Sequence, residues 1–396
     1  MVRCRSLHTL LLLFTLATAS SCAPTNLPPI GSGARAFQTE EDEKKLWQIA
    51  EQIERRIEKG GLLYQDRDLE NYLDGVAGRL LAGRLEGTQV VPRVKIIKDP
   101  FLNAFTLPDG AIYFHTGLLA RMDNEAQLAT VMGHELTHFV ERHSAKEMRS
   151  AQNTRNVVGV LQILLLGGLG GELAGQLGSV LALASVSGYS KELETRADEA
   201  GLRTLVQAGY DPKESVKAFE LMKQNRDETK SKEPFFFGTH PRLEERIDNN
   251  ARLLNTEFQA AAREEGRVKN SEEFLTRTHR LLLDNAILDL ELGRFNTARA
   301  AIEKHLRREP GSPHGHFVMG ELYRRSGRSD DAVKAYAYAS FLDPKYAEPH
   351  RELGLLYRAQ SRPQDARAEF ERYVDLSPKA IDALIIKGYV AELEKP

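Results

Sequence analysis

The last third of the chain repeats itself every 34 residues, and this period constrains the fold more than any other feature. Four columns of residues keep the same register: Gly293, Gly327 and Ser361; Ala298, Ala332 and Ala366; Pro310, Pro344 and Pro378; and Ala286, Gly320 and Gly354. A period of this length is typical of stacked helix pairs, each of which buries its apolar face against a neighbour. Residues 270–396 are therefore predicted to form an all-α solenoid.

The 34-residue unit resembles the tetratricopeptide repeat over residues 272–394, with small residues at helix crossings and a closing proline. Ser361 occupies a turn position where glycine is usual. The resemblance implies either a concave peptide-binding surface or a packing scaffold, and the sequence favours neither of these two interpretations.

The first 21 residues have the order of a secretory signal. Arg3 and Arg5 precede an apolar run from Leu10 to Leu16, and small residues follow that run. The run is short for a membrane-spanning helix. The alternative interpretation is an N-terminal core helix.

Cys22 stands where such a signal would be cleaved, and Cys4 would be removed with the signal. An exported chain with one remaining cysteine cannot form an internal disulfide. The sequence "ASSC" resembles a bacterial lipobox, which predicts a lipid anchor on Cys22 and a flexible tether over residues 22–39. Since Ala23 is not the aspartate associated with inner-membrane retention, we expect a periplasmic protein at the outer membrane. A soluble exported protein is the alternative.

Residues 40–256 combine helical patterns with a β-rich stretch, which predicts a mainly α domain with a small β-hairpin or sheet. Residues 91–100 alternate as a strand does. The sequence Pro108-Asp109-Gly110 has turn chemistry and predicts a hairpin that ends near an exposed His115. Residues 157–187 are apolar, but polar residues and glycines interrupt them, so no membrane span is predicted there.

The stretch "LATVMGHELTHFVERHSAKEM" places His134 and His138 four positions apart, with Glu135 after the first. Four positions are about one helical turn, so both imidazoles lie on one face and can bind one zinc ion. Glu135 is rotated by about 100° and lies beside a bound water, whose proton it can accept. Asn124 is predicted to cap this helix, with Gln127 reaching back. The alternative is an amphipathic helix with two surface histidines.

A catalytic zinc ion usually has three protein ligands and one open position. Spacing does not decide which residue supplies the third ligand. The candidates that follow the motif are His143, Glu172, Glu192, Glu194 and Glu199.

Several sequence blocks, in order, resemble family 48 of the metallopeptidases, the gluzincins, over about residues 40–255. They are "NAFTLPDGAIYFHTGLL", "HELTHFVERHSA", "ELETRADEAG" and "THPRLEERI". The resemblance implies one Zn²⁺ per chain with Glu194 as the third ligand, and Glu192 is the second choice. It also implies that Asp198 accepts a hydrogen bond from a ligating histidine. A solvated helix carboxylate is the alternative for Asp198.

The same resemblance implies roles around the open position of the metal. His240 either reaches the zinc and keeps the enzyme latent, or stabilises the oxyanion, and Arg246 supports substrate or transition-state charge. For His240 the alternative is a residue that ends a loop before a helix. Asn103 and Ala104 lie on a predicted edge strand, to which an extended substrate can add by main-chain hydrogen bonds. A turn asparagine is the alternative there.

These patterns predict a zinc metalloendopeptidase of the bacterial envelope whose repeats bind substrates or partners. The resemblance implies misassembled outer-membrane proteins as clients and outer-membrane assembly machinery as a partner. The net charge of −2 gives no indication of nucleic-acid binding. Membrane contact is predicted through the lipid anchor and not through a transmembrane helix. The glycine-rich residues 164–178 are compatible with a lid, a plug or a membrane-touching loop, and their position between the metal helix and Glu194 suits a lid.

Three other functions compete with this prediction. The chain can be a chaperone or assembly adaptor whose metal site is latent. Prenyl-protein processing fits poorly, because the relatives with that activity cut inside a chamber of membrane spans. A repeat scaffold with a degenerate peptidase domain is opposed by the intact Glu135 and candidate ligands.

Overall fold

The computed structural model describes residues 27–32, 37–88, 90–150, 189–229 and 242–394. The predicted signal, Cys22, residues 164–178 and His240 lie outside the described residues. Among the helices that are described, none is both long and apolar enough to cross a membrane. The architecture is mainly helical with one small sheet, as predicted.

The sheet has three strands in the order β1-β3-β2. They are β1 (Arg93–Ile97), β2 (Ala104–Thr106) and β3 (Ala111–His115). β1 pairs in parallel with β3, and β2 pairs antiparallel to β3 through the predicted hairpin. Gly110 closes the turn at φ +90°, a conformation that favours glycine, and a Cβ there would lie 2.9 Å from the Phe139 ring. The hairpin ends at His115, whose side chain is fully buried and not exposed as predicted.

Helices surround this sheet in the first part of the chain. They are α1 (Glu41–Lys59), α2 (Arg67–Leu81), α3 (Thr116–Arg121), α4 (Glu125–Val140), α5 (His143–Arg149), α6 (Lys191–Gln207), α7 (Lys213–Thr229), α8 (Leu243–Asn255) and α9 (Gln259–Arg263). α1 illustrates why they form, because its apolar residues Leu46, Ala50, Ile53 and Ile57 recur at helical spacing and are buried. α4 lies in the centre and is buried along its whole length.

Part of the predicted flexible tether is packed against this domain. Leu27 and Ile30 are buried, and the Ile30 backbone N–H donates to the Val140 carbonyl over 2.8 Å. The apolar side chains in "NLPPIG" therefore attach residues 27–32 to the end of α4. A tether that is flexible over all of residues 22–39 is not what the structure shows.

Antiparallel helices follow to the end of the described chain. They are α10 (Ser271–Glu291), α11 (Phe295–Arg308), α12 (Pro313–Arg325), α13 (Ser329–Leu342), α14 (Ala347–Ala359), α15 (Pro363–Leu376) and α16 (Ala383–Leu393). The small-residue column lies where helices cross closely. A Cβ on Gly320 would lie 2.5 Å from the Tyr336 ring, and one on Gly354 would lie 2.4 Å from the Phe370 ring. Ser361 adopts φ +57° in its turn, a left-handed conformation that costs a residue other than glycine free energy.

Candidate metal centre

Two helices bring the predicted ligands together. His134 and His138 lie one turn apart on α4, and Glu194 lies in the first turn of α6. The Nε2 atoms of the two histidines are 3.0 Å apart. Glu194 Oε2 lies 3.6 Å from His134 Nε2, and its Oε1 lies 3.4 Å from His138 Nε2. All three side chains are buried.

The donor atoms have the spacing that a metal ion requires. Donors about 2.1 Å from a tetrahedral zinc ion lie roughly 3.4 Å from one another. The separations in the structure, 3.0, 3.4 and 3.6 Å, lie on both sides of this distance. Two Nε2 atoms that face each other at 3.0 Å also need a cation or a shared proton between them. The residues therefore fit a metal ion.

The competing candidates for the third ligand lie elsewhere. Glu192 is exposed and Glu199 is half-buried, and neither joins the cluster among the described residues. His143 contacts Nδ1 of His138, which is the ring nitrogen opposite the one in the cluster. His143 is not among the three residues whose donor atoms converge. Glu172 lies outside the described residues.

The electrostatic surroundings favour the metal-binding form of His134. Burial lowers the pKa of His134 to about 4, and the positive charge of Arg246 contributes to this shift. The ring is therefore neutral at neutral pH, and a neutral imidazole is the form that ligates metals.

Asp198 lies one helical turn after Glu194 and contacts the other nitrogen of His134. Its Oδ1 is 2.9 Å from His134 Nδ1. Burial opposes ionisation of Asp198, but the charge of Arg246 and the hydrogen bond with His134 hold its pKa below the usual range. An ionised Asp198 accepts a hydrogen bond from the Nδ1–H group of His134, which leaves the Nε2 lone pair of His134 for a metal.

Arg246 binds Asp198 directly. Its Nε donates to Asp198 Oδ2 over 2.9 Å, and its Nη2 donates to Oδ1 over 2.7 Å. The guanidinium also lies over the Phe219 ring, 4.4 Å from the centroid. These contacts give Arg246 a role in holding Asp198. The predicted role in stabilising transition-state charge stays a prediction.

Glu135 has a partner that the sequence interpretation missed. The Thr106 hydroxyl lies 3.0 Å from Glu135 Oε2 and 3.2 Å from the Glu135 carbonyl oxygen. Both residues are buried. Thr106 belongs to β2, so the edge strand that was predicted to meet substrate also positions the predicted general base. The sequence clue to this contact was that Thr106 lies three residues after Asn103, in the same predicted edge strand.

His138 also contacts two residues, His143 and Tyr189, that the sequence analysis did not predict as its partners. The Nδ1 atoms of His138 and His143 are 3.0 Å apart. The Tyr189 ring stacks on His138 with centroids 3.9 Å apart, and its hydroxyl is 2.9 Å from Ser144 Oγ. The sequence analysis named His143 as a candidate for the third ligand and not as a partner of His138, because nothing local indicates which histidine it contacts.

Asn103 and Ala104 lie at the edge of the sheet, as predicted, but both side chains are fully buried. Ala104 pairs with Phe114 on β3, and the Asn103 carbonyl accepts the His115 N–H over 3.0 Å. If this strand binds a substrate, its main-chain N–H and C=O groups would therefore make the contacts, and not the side chains of these two residues. The part of the site that His240 would form lies outside the described residues.

A second histidine cluster lies in the repeats and differs from the first. His279 Nε2 donates to Glu309 Oε2 over 2.6 Å, and His305 contacts the His279 carbonyl through Nδ1 and Ser312 Oγ through Nε2. Each contact pairs a donor with an acceptor. The two rings are stacked with 15° between their planes, so their lone pairs do not converge on one point. Hydrogen bonds satisfy both nitrogens of His305 and Nε2 of His279, so these contacts form without an ion.

Comparison with known families agrees with this geometry. Residues 65–253 match the model described as Peptidase family M48. Residues 283–347 and 317–381 match the model of the tetratricopeptide repeat. Peptidases of the matched family are metal-dependent, and the matched span contains all three residues of the cluster.

Individual proteins are similar over different lengths. The beta-barrel assembly-enhancing protease of Escherichia coli (strain K12) is 24% identical over 399 residues, which cover 90% of this chain and 78% of that protein. The protein of the same name from Yersinia pestis is 27% identical over 240 residues, 58% of this chain and 47% of that protein. Mitochondrial metalloendopeptidase OMA1 of Schizosaccharomyces pombe is 33% identical over 153 residues, 38% of this chain and 43% of that protein. The chain thus spans about half the length of the Yersinia pestis relative.

The comparisons confirm the resemblance on which the sequence interpretation relied. The chain has a peptidase domain followed by repeats, as predicted from the sequence blocks and the 34-residue period, and it is similar over 90% of its length to a beta-barrel assembly-enhancing protease. The ligand assignments themselves are not given by these matches.

Proposed function

We propose that the chain is a zinc endopeptidase in which His134, His138 and Glu194 hold the ion, because residues 65–253 match the model of Peptidase family M48, whose members are metal-dependent. The observation that supports this most directly is the buried cluster of their donor atoms at 3.0, 3.4 and 3.6 Å. Two imidazoles and one carboxylate are a ligand set typical of catalytic zinc in peptidases. When bound there, zinc supplies Lewis acidity toward the scissile carbonyl and lowers the pKa of water.

Glu135 is the general base in this proposal. It accepts a proton from the attacking water and returns it to the leaving amine nitrogen as the C–N bond breaks. The Thr106 hydroxyl, 3.0 Å from Oε2, restricts the orientation of the carboxylate. Oxyanion stabilisation is assigned to His240, since Arg246 is engaged with Asp198.

The edge strand β2 is the proposed substrate platform. Ala104 is its first residue, Asn103 directly precedes it, and the strand is hydrogen-bonded to β3 on one side. An extended peptide that adds to the other side binds through main-chain hydrogen bonds, which do not depend on side-chain identity. Such a mode suits an endopeptidase with unfolded clients.

The setting is proposed from the relatives and the N-terminal sequence together. A protease named for enhancing beta-barrel assembly is similar over 90% of the chain. We infer the bacterial envelope as location, misassembled outer-membrane proteins as substrates and outer-membrane assembly machinery as a partner of the repeats. Lipidation of Cys22 would hold the enzyme at that membrane.

The test measures zinc content and casein cleavage for the mature chain and two variants. Glu135→Gln is expected to keep one zinc per chain and to lose more than about a hundredfold in cleavage rate, the usual contribution of a general base. Glu141→Gln is the matched control, because Glu141 ends the same helix and pairs with Lys146 and Arg196 away from the cluster. Native cleavage by Glu135→Gln would contradict the mechanism.

A second candidate function is a chaperone or adaptor with a latent site. Exposed apolar side chains on the repeats favour it: Phe341 is 75% exposed, Leu384 81% and Ile381 fully exposed. Here the informative variant is His240→Ala. Increased cleavage would indicate that His240 keeps the enzyme latent, whereas zinc binding without cleavage in any form would favour the adaptor.

A further inference from the structure

The two histidines of the metal cluster have different partners on their outer nitrogens. His134 Nδ1 faces the carboxylate of Asp198, which Arg246 holds. His138 Nδ1 faces another imidazole, that of His143, at 3.0 Å. His143 is fully buried, and it lies on α5, which starts after the left-handed residue Arg142. The sharp turn at Arg142 brings His143 back onto α4.

Hydrogen-bond chemistry fixes the protons in this pair. If His138 presents its Nε2 lone pair to the proposed ion, its proton is on Nδ1, which then donates. The atom that receives this hydrogen bond is His143 Nδ1, which must therefore carry a lone pair. The proton of a neutral His143 is then on Nε2. That nitrogen is buried and has no hydrogen-bond partner among the described residues.

Because His143 Nε2 has no partner among the described residues, the hydrogen bond to His138 is the one polar contact that its ring makes there. A buried N–H without an acceptor costs free energy, and turning the ring over would only exchange the nitrogen that lacks a partner. Tyr189 restricts the pair further. Its ring stacks on His138 at 14°, and it meets His143 edge-on with centroids 5.9 Å apart.

Resting on the proposed zinc site, we propose that His143 is a positioning residue that holds His138 in the tautomer with a free Nε2. It acts as a neutral acceptor, in contrast to the ionised Asp198 beside His134. A carboxylate acceptor raises the basicity of a ligating imidazole, and a neutral imidazole does so less. The two histidines are therefore unequal ligands, with His134 the stronger donor to the metal and His138 the weaker.

The test compares His143→Asn with His143→Leu in the mature chain. Asparagine Oδ1 stands close to the position of histidine Nδ1 and can accept the same hydrogen bond, whereas leucine fills space without accepting. Zinc affinity is measured by competition with a chromogenic chelator. We expect His143→Leu to weaken zinc binding by about 10- to 100-fold, the range for loss of such partners, and His143→Asn by less than about threefold.

His305→Leu is the matched control, because His305 is also buried and lies in the repeats, remote from the cluster. It is expected to leave zinc affinity unchanged. Wild-type affinity in His143→Leu, or equal weakening by asparagine and leucine, would overturn the positioning role. Absence of zinc from the wild-type chain would overturn the proposed site and this inference together.

A second measurement does not depend on the variants folding. In zinc-loaded wild-type protein with ¹⁵N-labelled histidine, the ring nitrogens report the tautomers directly. We expect the proton of His138 on Nδ1 and that of His143 on Nε2. A proton on His143 Nδ1 would exclude its role as acceptor.

Discussion

At the scale of single residues, Arg246 illustrates how a charge can serve the metal site by holding a partner of a ligand, since its Nη2 lies 3.0 Å from His134 Nδ1 and it also binds Asp198. Its side chain is 5% exposed, and it pairs with Asp198, which is 2% exposed. Removing one partner of a buried ion pair leaves an uncompensated charge, at a cost of about 3–5 kcal/mol. The position of His134 depends on the same carboxylate, because both share Asp198 Oδ1.

We therefore expect Arg246→Met to destabilise the chelator-treated protein by about 3–5 kcal/mol and to weaken zinc binding about 10-fold or more. Denaturant unfolding and chelator competition measure the two effects. Arg252→Met is the control, since Arg252 lies on the same helix and is 58% exposed, so its loss is expected to cost less than about 0.5 kcal/mol. Unchanged stability and zinc affinity with lost cleavage would instead support the predicted role in transition-state stabilisation.

At the scale of elements, the centre depends on how closely two helices cross. α4 carries both histidines, α6 carries Glu194 and Asp198, and they meet at a pair of glycines. A Cβ on Gly201 would lie 2.9 Å from the His134 backbone nitrogen, and one on Gly133 would lie 3.2 Å from the Gly201 carbonyl oxygen. Because the obstacle is backbone, neither helix can yield by turning a side chain.

Gly201→Ala is therefore expected to separate the helices, to destabilise the chain by about 1–3 kcal/mol and to weaken zinc binding. Gly75→Ala in α2 is the matched control. A Cβ there meets nothing within 4 Å, so the better helix propensity of alanine should stabilise the chain by up to about 1 kcal/mol. Thermal unfolding and zinc competition check both variants, and a Gly201→Ala protein as stable as wild type would contradict the crossing argument.

The elements also divide what sequence can predict from what it cannot. The metal helix was predictable because its signals are local: Asn124 Oδ1 accepts the Gln127 N–H over 2.9 Å, so the cap is confirmed. Gln127 does reach back, but its Oε1 accepts from Asp123 N, one residue earlier than the predicted pairing. Thr106 and His143 were not predictable as partners, because the contacts that define them join separate elements. From the sequence alone, Gly201 is only a residue that destabilises a helix. The structure shows that it permits the close approach of α6 to Gly133 on α4.

At the scale of the whole molecule, the first repeat helix completes the core of the peptidase domain. Phe274, Leu281 and Leu282 of α10 are buried in the same cluster as residues of α2, α3 and α4. Polar contacts follow the same junction: the Tyr64 hydroxyl donates to Asp284 over 2.7 Å, and Arg121 donates to the fully buried Asp289 over 3.1 Å. The predicted domain boundary between residues 256 and 270 therefore does not separate two hydrophobic cores, because residues on both sides of it belong to the same core.

This junction predicts that the peptidase domain is unstable without α10. Each of the three apolar side chains contributes about 1.5–3 kcal/mol when buried, against a net stability of about 5–15 kcal/mol for a typical protein. A chain that ends at residue 266 is expected to lose its cooperative thermal transition or to melt well below the full-length protein. A chain that ends at residue 311 keeps α10 and α11 and is expected to unfold close to the full-length protein, with zinc still bound. Equal melting temperatures for the two truncated chains would show that the repeats do not stabilise the peptidase domain. The expected difference would mean that a change in the position of α10 also affects the core around α4.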